Sequence, residues 1–183
     1  MGLIDSLLHY LFRPAPEALG EVRGPKGRTL LARGRVVARE SLTSPLTERR
    51  CVYYRYLVEE WKRSTVAIPG LGPGGGGLWH VSDRDEAITE FYVDDGTGRA
   101  LVEPAGAEVD FDATSGPRPV PMPEGRRASE LLIEPGDWVE VLGVLDEVED
   151  VFDGERGYRA EATRVTLRAG EGEALRIRLV GKA

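Results

Sequence analysis

The segment from Glu90 to Phe111, EFYVDDGTGRALVEPAGAEVDF, constrains the fold more than any other part of the chain. Phe91 to Val93 alternates with Glu90 and Asp94 in the manner of a half-buried strand. Asp94-Asp95-Gly96-Thr97-Gly98 supplies turn chemistry, and Ala100 to Val102 opens a returning strand. The stretch is expected to be a β-hairpin. Gly96 and Gly98 permit the positive φ angles of a tight turn, and Pro104 removes a backbone donor where the returning strand stops.

The rest of the chain repeats this grammar. Arg28 to Glu40 reads as a long first strand, with Gly34 marking a bend or bulge that curls a sheet. Cys51 to Trp61 is dense in strand formers, and alternation puts Cys51, Tyr53, Arg55, Leu57 and Glu59 on one side with Val52, Tyr54, Tyr56, Val58 and Glu60 on the other. Between Trp61 and Trp79 the run IPGLGPGGGGLW is expected as a loop joining paired strands. It lacks the closing lysine and following helix of a phosphate loop. Gly116 to Glu124 repeats proline and reads as an extended connector, and Ala128 to Leu132 as a short helix or turn. Glu134-Pro135-Gly136-Asp137 turns the chain into a strand from Trp138 to Leu145. The acidic stretch Asp146 to Glu155 reads as a solvated hairpin loop, and Arg159 to Arg168 and Ala174 to Val180 as the last strands. The expected fold is mainly β, an OB-like small β-barrel of about five to seven strands.

A short amphipathic helix is expected ahead of it, because Leu3, Ile4, Leu7, Leu8, Leu11 and Phe12 share one face. Residues 14–27 then form a Pro/Gly linker, and 28–183 a single barrel domain. The helix has three destinations: the domain's own core, a groove on a partner, or a membrane surface. The last is opposed by a polar face without lysine or arginine.

Charge narrows the partners. With 24 basic and 31 acidic residues the chain carries a net −7, which disfavours general binding to nucleic acid. Residues 24–63 nonetheless hold ten basic and four acidic residues, and 83–112 hold ten acidic and two basic. Arg33, Arg35 and Arg55, with Arg39, Arg49 and Arg50 near Tyr54 and Tyr56, are therefore an alternative face for stacking single-stranded nucleic acid. A solvated strand face with arginine stems over apolar surface is the plainer reading.

No catalytic or cofactor-binding constellation is visible, and no cofactor is expected. Asp94 and Asp95 are consecutive, so on a strand they point to opposite faces, and they read as turn caps. Cys51, His9 and His80 have no ligand spacing, which leaves no metal site. One cysteine excludes an internal disulfide and a multi-cysteine zinc module. No run approaches the roughly 20 apolar residues of a membrane span, so a cytoplasmic location, at most peripheral to a membrane, is expected.

Three separated blocks, GRVV…SPLTERRCVYYRYLVEEW, FYVDDGTGRALVEPAGAEV and EPGDWVEVLG, together resemble the GIDE domain, also called BAM for "beside a membrane". The likeness spans roughly residues 28 to 145. That domain is known from a family of mitochondrial outer-membrane ubiquitin and SUMO ligases, where it lies between two membrane spans ahead of a RING. Here the RING cysteines and both spans are missing, so ligase activity does not carry over. The resemblance implies a noncatalytic protein-interaction or sensing module with a protein partner, working near a membrane or docked through the helix Leu3 to Phe12.

Overall fold

Branched and aromatic residues at alternate positions, punctuated by glycine and proline, build this chain from strands. The computed structural model describes residues 14–22, 25–63, 77–111, 115–149 and 163–183. In chain order the strands are β1 (Thr29–Ala38), β2 (Leu42–Thr43), β3 (Arg50–Cys51), β4 (Tyr53–Arg63), β5 (Gly77–Ile88), β6 (Phe91–Asp94) and β7 (Arg99–Val102). They continue as β8 (Glu108–Phe111), β9 (Arg118–Val120), β10 (Arg126–Ile133), β11 (Trp138–Glu149), β12 (Thr163–Arg168) and β13 (Arg176–Gly181). The helix expected over 1–13, with Leu3, Ile4, Leu7, Leu8, Leu11 and Phe12, lies outside the described residues, as does the glycine-rich stretch 64–76. Among the described residues the one helical piece is a 3-10 turn, Leu19–Glu21.

The span read as one domain divides into two compact units. The first combines the segment ending at Glu40 with Glu90–Ser115 and Pro135–Ala183, and the second combines Ser41–Thr89 with Gly116–Glu134.

In the first unit β1 pairs antiparallel with β6 and with β11, and β6 with β7. β7 runs parallel to β12, and β12 pairs antiparallel with β11. The five strands thus close into a barrel in the order β1-β6-β7-β12-β11. Leu30, Val36, Phe91, Val93, Val102 and Leu167 are buried in this unit. β11 divides its length: Trp138–Leu142 also pairs with β13, which carries β8 in parallel, and Val144–Glu149 pairs with β12. Residues 146–149, expected in a solvated loop, are therefore the end of a strand whose backbone is satisfied by β12.

Arg35 is the residue at which β1 passes from β11 to β6. A Cβ on the adjacent Gly34 would stand 2.4 Å from the Asp94 carbonyl oxygen, so the residue read as a bend serves a close approach of two backbones.

The β6–β7 hairpin forms as expected, with Asp94 opposite Arg99. Only Gly96 uses positive φ, at 86°. Gly98 is there for space, since a Cβ would lie 2.7 Å from the Gly20 nitrogen. Asp95 Oδ1 accepts from the Thr97 amide at 2.8 Å, the Thr97 hydroxyl at 2.7 Å and the Gly98 amide at 2.9 Å, while Oδ2 accepts from the Leu19 amide at 2.6 Å. Asp94 accepts from the Gly96 amide and from Arg99 Nε. Both aspartates are turn caps. The described part of the stretch 14–27, expected as a tether, packs through buried Leu19 and Val22 and is held by Asp95 and by an Arg28–Glu17 pair.

In the second unit a four-stranded sheet runs β5-β4-β10-β9, and the small β2–β3 hairpin pairs separately. Residues 128–132 are not a helix or turn but the middle of β10, which pairs with β4 from Arg126↔Glu60 to Ile133↔Tyr53. Glu130 hides the alternation, because it is a buried carboxylate inside an apolar strand. Its oxygens accept from the Ser44 and Thr47 hydroxyls, which repays its burial and anchors the Ser44–Thr47 turn against the sheet. Tyr56, Val58 and Ala128, with Leu46, Tyr54, Val120 and Met122, form the core on that side.

Candidate functional site

The β4–β5 ribbon is longer than a typical strand pair, and its far end holds the largest exposed apolar side chains among the described residues. Register sets the arrangement. Trp61 lies opposite Trp79, Glu59 opposite Val81, and Arg127 of β10 opposite Glu59, so these five side chains share one side of the sheet. The indoles meet edge to face at 5.4 Å and 64°. The Arg127 guanidinium sits 4.5 Å over the Trp79 ring and donates to both Glu59 oxygens, at 2.7 and 3.0 Å. That bond holds the Glu59 carboxyl below its usual value, against the opposing effect of burial, and raises Arg127. Trp79 is thereby fixed between a cation and a second ring, while Trp61, Leu78 and Val81 remain 44, 66 and 55% exposed.

Nearer the start of β4, tyrosines fasten β5 in place. Tyr53 donates to Glu86 at 2.8 Å, Tyr54 to Asp85 at 2.8 Å and Tyr56 to Asp83 at 3.0 Å. Each ring leans past its direct partner to the carboxylate on the diagonal. The Asp85 bond, with burial behind it, pushes the Tyr54 phenol above its usual value; burial first, then Asp83, does the same to Tyr56. A bulge between Val58 and Glu59 places Ser82 as the extra residue of β5, and the Ser82 hydroxyl donates to the Val58 carbonyl. On the tryptophan side, Arg55, Leu57, Arg84, Glu86, Pro117 and Ser129 line a shallow trough of about 540 Å³.

The expected site residues are divided between the two units and a segment outside the described residues. Leu3, Ile4, Leu7, Leu8, Leu11 and Phe12 lie outside the described residues. Arg33 and Arg35 belong to the first unit, where Arg33 is 3.9 Å from Glu140 and Arg35 lies 5.4 Å over the Trp138 ring. Tyr54, Arg55 and Tyr56 belong to the second. Tyr54 and Tyr56 stack at 6.2 Å with their hydroxyls on carboxylates, and alternation puts Arg55 on the opposite side of the sheet. Of the segment's other arginines, Arg39 pairs with Glu90 and Arg49 with Glu134.

Among the described residues no three His, Cys, Asp or Glu side chains converge as metal ligands. Asp83 and Asp85 face one side of β5 and Glu86 the other. Cys51 is buried. No described helix is long and apolar enough to cross a membrane. The Trp61–Trp79–Arg127 cluster is the feature that sequence reasoning passes over. Its only signal is a tryptophan on either side of a glycine-rich loop, which strand pairing brings together. Comparison with family models, with curated proteins and with solved structures gives no match.

Proposed function

We propose that this protein is a noncatalytic protein-binding module of the GIDE type, contacting its partner through the far end of the β4–β5 ribbon and working beside a membrane or docked through Leu3 to Phe12. The carrying observation is the exposure of Trp61 and Val81 beside a Trp79 already immobilised by Arg127 and Glu59, with Leu78 exposed on the other side of the same ribbon. An aromatic anchor held in place before binding loses little conformational entropy on contact, as interface hot spots require. The three sequence blocks that resemble the GIDE domain support the family reading.

The test is a pull-down in which each protein retained by the full chain is purified and titrated against Trp61→Ala and Leu78→Ser. Both variants are expected to unfold within about 1 kcal/mol of the parent, since the side chains are at the surface. Affinity is expected to fall at least about tenfold for Trp61→Ala. Equal affinity in both variants refutes the reading. Flotation with anionic vesicles, with and without residues 1–16, tests the membrane part.

A second reading, an OB-type binder of single-stranded nucleic acid, draws on one observation. Taken in chain order, the barrel strands are arranged first-second-third-fifth-fourth, with the third and fifth parallel, an OB-like order. The Asp83 and Asp85 carboxylates at the tyrosine hydroxyls weigh against it, because they repel phosphates where bases would stack. No binding of a labelled oligonucleotide at low salt ends this alternative.

A further inference from the structure

β5 is an edge strand. In the order β5-β4-β10-β9 it pairs with β4 alone, and no backbone hydrogen bond links its outer side to another described segment. Gly77–Ile88 is twice the length of an ordinary strand, and its residues are exposed or, at Gly77, Trp79, Ala87 and Ile88, half-buried. Such an edge offers a row of unpaired donors and acceptors to any extended chain.

The side chains along this edge restrict which chain it accepts. Asp83 and Asp85 project on the side of Tyr54 and Tyr56, together with Leu78 and His80. Both aspartates receive their tyrosine hydroxyl on Oδ2, leaving Oδ1 without a partner among the described residues. Trp79, Val81, Arg84 and Glu86 project on the other side, where Arg84 and Glu86 offset one another and the first two are apolar. A strand laid along β5 alternates its side chains between these two environments. One side favours cations and the other favours apolar residues.

We propose that the outer edge of β5, over Leu78–Glu86, takes up an extended basic segment of the partner protein as an added strand, with cationic side chains beside Asp83 and Asp85 and apolar ones beside Trp79 and Val81. This rests on the protein-binding reading above and names its mode and the chemistry of its partner. A second copy of this chain fits less well, because β5 laid antiparallel on itself about its acidic half opposes like charges.

The probe is a peptide of about six residues alternating lysine and valine, titrated into the isotopically labelled full chain with amide hydrogen exchange as the readout. Amides within Leu78–Glu86 are expected to gain about tenfold protection. The glutamate–valine peptide is expected to give none, nor is a lysine–valine peptide N-methylated along one edge, which keeps its charge and loses its donors. Asp83→Asn with Asp85→Asn, which retains an acceptor for each tyrosine, is expected to weaken binding about tenfold at low ionic strength and less in high salt.

Equal binding of the acidic or the N-methylated peptide overturns the inference, as does protection confined to other strands. Protection of the same amides in the free chain by dimerisation also overturns it. If a purified partner depends on Trp61 while β5 gains no protection, the edge mode falls and the binding-module reading stands. If β5 is protected while no partner depends on Trp61, the edge mode stands and the tryptophan contact falls.

Discussion

Asp137→Ala is expected to destabilise the first unit by about 3 kcal/mol, near the lower end of the range for breaking a buried ion pair. Asp137 is 1% exposed and follows the Pro135-Gly136 turn into β11. Its Oδ2 accepts from Lys182 Nζ at 2.7 Å and its Oδ1 from the Ala183 amide at 3.1 Å, while its own carbonyl accepts from the Val36 amide of β1. The carboxylate thus ties the residues after β13 to the start of β11. Lys182 retains 23% side-chain exposure and reaches water in part when the Asp137 carboxylate is removed, which places the cost at the lower end. Lys182→Met is expected to cost as much or more, because the anion left behind is the deeper charge. The double variant Asp137→Leu with Lys182→Met is expected to recover most of the loss. Urea unfolding of the parent, Asp137→Leu, Lys182→Met and the double variant measures the cycle, and strict additivity refutes the pairing.

The second large effect is expected at Asp95. Replacement by alanine removes an acceptor from three backbone amides and a hydroxyl, and cuts the Leu19 bond between the Leu19–Glu21 turn and the hairpin while leaving that from the Gly20 amide to Thr97 Oγ1. The expected loss is about 2 to 3 kcal/mol. Asp95→Asn does not restore it, since a single amide oxygen serves either the Thr97–Gly98 amides or the Leu19 amide, and its NH₂ then faces a donor.

The same site sets the response to acid. Arg99 holds the Asp94 carboxyl below its ordinary value, against burial and with help from the Gly96 amide. Burial pushes Asp95 upward, but the bonds from Leu19, Thr97 and Gly98 outweigh it and leave that carboxyl lowered as well. A depressed pKa in the fold means that the stabilisation is complete above the ordinary aspartate value of 3.8 and is lost as pH falls through the folded value. The parent is therefore expected to lose stability steeply below about pH 4. Asp95→Ala is expected to show a shallower slope in that window. Identical slopes in acid titrations followed by circular dichroism contradict this account.

Legibility in the sequence follows the range of the interactions. The β6–β7 hairpin is readable because its strands, turn and capping carboxylates lie within a dozen or so residues. β10 is not, because Glu130 breaks the apolar alternation and its justification is Ser44 and Thr47, far earlier in the chain. Residues 14–27 have the composition of a tether, yet the Leu19 amide reaches a carboxylate 76 residues on. The tryptophan cluster depends on β4 and β5 pairing in one register across residues 64–76, and no local pattern specifies that register. The arginines at 33 and 35 belong to one unit and Tyr54 and Arg55 to the other, a division that the run of charge along the chain does not signal.

The interleaving of the two units has a consequence during synthesis. β1 emerges first, but its partner β11 and the closing strand β12 emerge only after most of the chain has been made, and β4 waits for β10 in the same way. The β6–β7 hairpin and the β4–β5 ribbon are the pieces able to form as they leave the ribosome. The second unit is complete once Glu134 has emerged, whereas the apolar edges of the first stand open on the nascent chain until Thr163–Arg168 follows, and a break between Ser41 and Glu134 leaves incomplete halves rather than one whole unit.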